Sequence, residues 1–292
     1  MFRASDLLAT ALAPVVWGST YIVTTELLPP GHPVFVSAAR VLPAGLLLLL
    51  IVRQLPRGEW IWRSFVLGAL NFAIFMVLLF IAAYRLPGGI AATVGAVQPL
   101  IVIFVAAVVL GSAIRPLAVL AALAGLCGVA LLVLRNEAAL DAVGIAAALG
   151  GAVSMALGTV LTRRWQPPVS PLVFAAWQLL AGGVLLVAMA AVLEPLPPAP
   201  SARNMVGFLY MSLSSALTYV LWFRGISRFE PSAVASLGFL SPTTAVLLGW
   251  GLLDQALAPA QIAGVVLVLA GVWAAQVAVR RGAKPVPAAP QP

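Results

Sequence analysis

Prolines, glycines and small clusters of charge divide this chain into ten apolar stretches, each close to the length of a helix that crosses a bilayer. Such a helix needs about twenty apolar residues. The stretches run roughly over 5–27, 33–52, 62–84, 88–110, 116–134, 142–163, 171–193, 204–224, 231–252 and 259–280. Runs such as Leu46 to Val52 do not alternate polar with apolar side chains, as the strands of a membrane barrel must. An all-α membrane protein is therefore expected. Composition agrees: 8% of the residues are charged and mean hydropathy is +1.11, where a soluble domain carries about a quarter charged residues. A soluble enzyme, a disordered chain and a disulfide scaffold are excluded. One cysteine, Cys127, and one histidine, His32, leave no material for a disulfide, a thiolate cluster or a zinc site. No metal, cofactor or enzymatic activity is expected. Cys127 reads as a small buried hydrophobe among small residues.

Arg3 and Ala11-Leu12-Ala13 give the first stretch a faint likeness to a secretory leader. Pro14 follows the candidate cut and the apolar run continues to Leu28, so the stretch is expected to remain as the first helix. The Pro- and Ala-rich segment 281–292 is expected to be disordered.

Sixteen basic residues face eight acidic ones, for a net charge of +8. In a soluble protein that excess would suggest nucleic acid. Here the cations sit between apolar runs and read as signals of membrane orientation, so no nucleic-acid partner is expected. With the N-terminus inside, Arg3, Arg53, Arg57, Arg63, Arg115, Arg163, Arg164, Arg224, Arg228, Arg280, Arg281 and Lys284 fall on one face. Only Arg85, Arg135 and Arg203 fall on the other. Twelve against three predicts both termini in the cytoplasm.

The chain also repeats itself. An offset of 143 carries Ala92, Gly95, Pro99, Leu110, Ala113, Pro116, Leu126, Gly128 and Val129 onto identical residues, among them Gly238, Pro242, Pro259 and Gly271. An offset of 138 carries Pro33, Ala38, Leu42, Gly45, Leu47 and Leu48 onto Pro171, Ala176, Leu180, Gly183, Leu185 and Leu186. Residues 1–134 and 142–280 are thus two five-helix units. Five is odd, so the second unit enters the membrane from the opposite side. That is the inverted repeat of many secondary transporters, which bind substrate near the midplane between their halves.

Trp17-Gly18-Ser19, Arg40, the Gly95-x-x-x-Pro99 and Gly238-x-x-x-Pro242 helices and Trp222-Phe223-Arg224 follow one another in a recognisable order. In this the chain resembles the drug/metabolite transporter superfamily, in its ten-helix branch with two EamA-type repeats. It is similar to bacterial exporters of aromatic amino acids and related metabolites. The resemblance, over residues 5 to 280, implies a basket of ten helices around a central cavity, with the fifth helix of each repeat at the periphery. It also implies a multi-pass protein of the bacterial inner membrane that moves amino acids or related small molecules by alternating access. Other amphipathic metabolites or drugs, or a channel, are the alternatives. Small-molecule substrate and membrane lipid are the expected partners, and a monomer the expected state.

Candidate site residues follow from chemistry at membrane depth. A helical proline lacks an N–H and repels the carbonyl four residues earlier. Pro99 and Pro242 are therefore expected to free the carbonyls of Gly95 and Gly238, and the four residues read as paired hinges or cavity-lining kinks, with a plain packing kink as the alternative. Gln98 and Ser241 precede the prolines and either bond those carbonyls or face a substrate. Arg40 is the one cation well inside a span. A central arginine costs between ~2.5 and over 10 kcal/mol unless paired or wetted. It reads either as a contact for a substrate carboxylate or as a structural arginine bonded to helix-end carbonyls or Glu26. Its repeat counterpart is the neutral Gln178, displaced toward the cytoplasmic side. Trp17, Tyr21, Asn71, Phe75, Ser154, Trp177 and Tyr219 are candidates to line the cavity, together with Thr20, Thr159, Ser214, Thr218 and Trp222. No carboxylate lies at membrane depth. Proton-driven pumps commonly use one, so the expectation is movement down a substrate gradient, or else coupling through a group that the sequence does not reveal.

Overall fold

The computed structural model describes residues 4–86, 88–133, 141–195, 197–252 and 257–282, and among these every regular element is helical. Ten helices are long and apolar enough to cross a bilayer. Spans 1 to 5 are Ala4–Thr24, Pro33–Val52, Glu59–Ala82, Ala92–Leu110 and Pro116–Val133. Spans 6 to 10 are Ala142–Arg164, Pro171–Leu193, Ala202–Arg228, Pro231–Leu252 and Pro259–Val279. Arg3, Arg135 and Lys284 lie outside the described residues, as does the tail beyond Gly282.

Span starts are written in the local sequence. Pro33, Pro171 and Pro231 occupy first-turn positions, where the missing N–H has no helical partner to lose. Asp141 accepts from the Gly144 N–H at 2.6 Å, and Ser201 with Asn204 closes a reciprocal capping box. Span 2 is capped from the other half of the molecule. The Glu194 carboxylate accepts from the N–H groups of Val34 (2.6 Å) and Phe35 (2.8 Å), with the helix dipole adding to the attraction.

Glycines show how the two halves meet. A Cβ on Gly45 would stand 2.5 Å from the Leu180 nitrogen, and one on Gly183 would stand 2.6 Å from the Leu42 Cα. These four positions are two pairs related by the offset of 138, so one contact occurs twice, with the roles of the halves exchanged. Spans 5 and 10 repeat the pattern at the offset of 143. A Cβ on Gly128 would stand 2.8 Å from the Val268 nitrogen, and one on Gly271 would stand 2.9 Å from the Gly125 nitrogen. In both helix pairs, moving up one helix means moving down its partner. Equivalent spans therefore run antiparallel across a pseudo-twofold axis perpendicular to them, which is the geometry of an inverted repeat. The small residues of spans 5 and 10 thus serve internal packing. Cys127 is exposed rather than buried, because Gly125 and Gly128 beside it face inward.

Charged groups sort into the two faces expected from the arginine count. On the arginine-rich face Asp6 pairs with Arg224 (2.7 Å) and Arg228 (2.6 Å), and Arg115 with Glu230 (2.5 Å). There too Arg163 donates to the carbonyls of Ile226 and Ser227, and Arg164 to that of Val109. On the opposite face Arg203 meets Glu26 at 3.3 Å and Arg85 meets Asp141 at 3.6 Å.

The glycine–proline motifs do break their spans. Span 4 divides into Gly88–Gly95 and Gln98–Leu110, and span 9 into Pro231–Leu237 and Leu240–Leu252. The expected free carbonyl is not found at Gly238. A tight turn carries the Ser241 N–H to the Gly238 carbonyl at 3.1 Å, so the proline's lost bond is replaced one residue earlier. Span 1 also breaks, at Gly18–Ser19. A Cβ on Gly18 would stand 2.6 Å from the Ser241 carbonyl oxygen, so the breaks of spans 1 and 9 lie against each other. Span 3 carries a π-helical turn at Ala69–Ala73, a feature that sequence periodicity does not announce.

Candidate functional site

Between the halves the structure gathers two polar nodes and a band of aromatic rings that lies beside them. The upper node is Arg40, which is 8% exposed and whose Nε donates to the Ser215 hydroxyl at 2.7 Å. Glu26 is engaged by Arg203 instead, and among the described residues no carboxylate pairs with Arg40. Nor does any described residue accept from its terminal nitrogens. One charge-assisted bond contributes about 1.5–3 kcal/mol, comparable only with the lowest estimate for embedding the charge. The guanidinium is held in place with most of its donors unused.

The aromatic band is built from spans 1, 3 and 8. Trp17 lies 5.1 Å from Tyr219 and 5.0 Å from Trp222, measured between ring centroids. Tyr219 stands edge-on to Phe72 at 4.6 Å, and Phe223 closes on both. The Trp17 indole N–H is satisfied by the Thr218 hydroxyl at 2.9 Å, which in turn donates to the Ser214 carbonyl. Phe72, Tyr219, Trp222 and Phe223 are all at most 2% exposed. At this level the centre is filled by rings rather than open. Each such contact is worth about 0.5–1.5 kcal/mol beyond area burial, so a solute passing this level must replace them.

The lower node is wholly buried. Asn71 Nδ2 donates to Gln178 Oε1 (2.8 Å) and Thr162 Oγ1 (3.2 Å), and Thr162 reaches the same Gln178 oxygen at 3.4 Å. Asn71 sits in the π-turn of span 3. The carbonyl of Leu70 in that turn accepts from the Ser154 hydroxyl at 2.8 Å, so span 6 holds the irregular turn in place. A Cβ on Gly158 would collide with Asn71 Oδ1, which explains the small residue there. Gln178 Nε2 is buried with no partner among the described residues.

Arg40, Asn71, Gln178, Tyr219, Trp17 and Ser154 are thus brought to the centre. Phe75 is half-buried at its edge, and the Tyr21 side chain lies outside the described set. Trp177 is not part of the centre: its N–H donates to the Gln54 carbonyl at 2.6 Å and its ring packs on Trp60 near the arginine-rich face. Gln98 keeps a buried, unpartnered Nε2 with its oxygen near Gly238. Ser241 is half-exposed and meets Gly18 through its carbonyl rather than its hydroxyl. Thr162, Ser215 and Phe72 escape the sequence reading, and Phe223 enters it only within the Trp222-Phe223-Arg224 motif. Ser215 adjoins the candidate Ser214, but nothing local marks Thr162 or Phe72. Among the described residues no three His, Cys, Asp or Glu side chains gather to hold a metal.

Comparison with known proteins bears on what such an arrangement does. The EamA-like transporter family matches residues 4–134 and 142–275. Protein PecM of Dickeya dadantii is 44% identical over 259 residues, 88% of this chain and 87% of that protein. The uncharacterized inner membrane transporter YedA of Escherichia coli K12 is 30% identical over 247 residues, 82% of this chain and 79% of that protein. A protein of known crystal structure superposes with a TM-score of 0.82 at 22% identity, over 96% of this chain and 99% of the other. That last likeness shows the fold.

Proposed function

Since this chain belongs to the EamA-like transporter family, and so carries small molecules across a membrane, we propose that it exports neutral amino acids, aromatic ones included, by alternating access. The observation that carries this reading is Arg40, buried, fixed through Nε by Ser215, and adjoining a band of aromatic rings. An amino acid presents the matching pair of groups. Its carboxylate suits a guanidinium with free donors, and an aromatic side chain can take the place of ring contacts that open as it passes. Two further supports are the antiparallel packing of equivalent spans, which fits rocking of one half against the other, and the gathering of buried polar and aromatic side chains between the halves. In this reading the arginine-rich face is cytoplasmic, with both termini there, in an inner membrane.

The test is counterflow in proteoliposomes. Labelled phenylalanine is expected to enter saturably, to be accelerated by unlabelled phenylalanine inside, and to compete with other neutral amino acids. Downhill flux is expected to persist when the proton gradient is collapsed, since the described carboxylates all lie at span ends. Flux that never saturates would indicate a channel instead. Arg40→Gln is expected to weaken half-saturation by about tenfold or more, the worth of a charge-assisted contact.

A further inference from the structure

The Arg40 contact occurs twice in this molecule. Gln178 is the counterpart of Arg40 at the offset of 138. Arg40 bonds Ser215 on span 8, while Gln178 bonds Asn71 on span 3. Spans 3 and 8 are themselves counterparts, and Ser215 lies one residue from the position that an offset of 143 assigns to Asn71. Leu42 packs on Gly183 and Gly45 on Leu180, so the dyad crosses span 2 between residues 43 and 44 and span 7 between 181 and 182. Arg40 and Gln178 therefore flank it on opposite sides. Each is three to four residues away, roughly 5 Å at the helical rise. In one copy the residue is a charged guanidinium that donates to Ser215. In the other it is an amide that accepts from Asn71 through Oε1 and whose Nε2 is buried without a partner among the described residues. Buried donors are nearly always satisfied, and an orphan one at the image of a proposed binding residue calls for a ligand.

We propose that Gln178, supported by Asn71 and Thr162, is a second, neutral receiving site for the substrate carboxylate, occupied when the carrier faces its arginine-rich side. This rests on the alternating-access reading above. If the halves exchange conformations, the place that Arg40 holds in one state falls to Gln178 in the other. The two sites differ in charge, so the two faces differ in affinity: carboxylate binding is tighter from the arginine-poor face, by about tenfold.

The experiment uses sided proteoliposomes of the full chain, with phenylalanine as probe and half-saturation read separately at each face. Gln178→Ala is expected to raise half-saturation several-fold at the arginine-rich face and leave the other unchanged, with Gln178→Asn partly restoring it. The double variant Arg40→Gln with Gln178→Arg is expected to invert the ratio between faces. Should that variant fail to fold, the Gln178→Ala and Gln178→Asn pair decides alone. Equal effects at both faces, or no effect, overturn the inference while leaving the transporter reading intact. Absence of saturable flux in the unaltered protein overturns both.

Discussion

Asn71 shows how much one side chain can organise in an apolar interior. Its amide joins spans 3, 6 and 7 through Gln178 and Thr162, and it fits only because position 158 has no Cβ. Gly158→Ala forces Asn71 aside and leaves buried amide groups unpaired, each costing about 1–3 kcal/mol. The expected outcome is a melting midpoint lowered by several degrees and a large loss of phenylalanine counterflow, whereas Gly151→Ala, whose nearest neighbours would stand at 3.7–3.8 Å, changes neither measurably. A Gly158→Ala protein with unaltered melting and flux would remove Asn71 from the site. Arg40 was visible in the sequence because a charge inside an apolar run has few structural explanations. Thr162 and Phe72 were not, since a helix apolar on all sides does not say which face meets which neighbour. Trp177 was misplaced for the same reason: it follows the rules for a cavity residue, yet its indole turns to the Gln54 carbonyl.

At the scale of elements, the repeat makes a quantitative claim that single sequences rarely allow. A Cβ on Gly45 or Gly183 would stand 2.5–2.6 Å from backbone atoms of the opposite span, and backbone cannot move aside as a side chain can. Overpacking of this kind costs about 1–3 kcal/mol. Gly45→Ala and Gly183→Ala are expected to lower stability in detergent by similar amounts, because each breaks the same contact viewed from opposite halves. Strongly unequal losses would argue against the dyad. Gly95 offers the contrast, since nothing lies within 4 Å of a Cβ there; Gly95→Ala keeps the fold. The order of spans, the breaks at Gly95–Pro99 and Gly238–Pro242 and the inversion were legible beforehand, because length, proline and parity are properties of the chain alone. The π-turn of span 3 and the capture of the Gly238 carbonyl by the Ser241 N–H were not, because both depend on what neighbouring helices supply.

At the scale of the whole molecule, the ion pairs that tie the halves differ between the two faces. Ties between the halves on the arginine-rich face are short: Asp6, 15% exposed, bridges to Arg224 and Arg228 at 2.7 and 2.6 Å, and Arg115 meets Glu230 at 2.5 Å. The ion pairs of the other face are longer and wetter, with Arg203–Glu26 at 3.3 Å and about half-exposed partners, beside the short capping bonds from the Val34 and Phe35 N–H groups to Glu194. The aromatic band and the buried lower node lie on the same side as the shorter ties. Asp6 thus ties span 1 to span 8 there, and is expected to act as a latch that holds the carrier closed toward its arginine-rich face. A partly exposed pair contributes up to about 1 kcal/mol, so Asp6→Asn, which weakens two, should shift the balance toward the opposite-facing state several-fold. The readout is a cysteine at Ile226, fully buried near that latch, in a chain whose exposed Cys127 has been replaced by alanine. A membrane-impermeant maleimide should label Ile226→Cys several times faster when Asp6→Asn is present. Saturating phenylalanine, which binds more tightly from the arginine-poor face, should slow the labelling of both proteins. Equal labelling rates with and without Asp6→Asn would mean that the pairs on this face hold the fold but do not set which way the carrier opens.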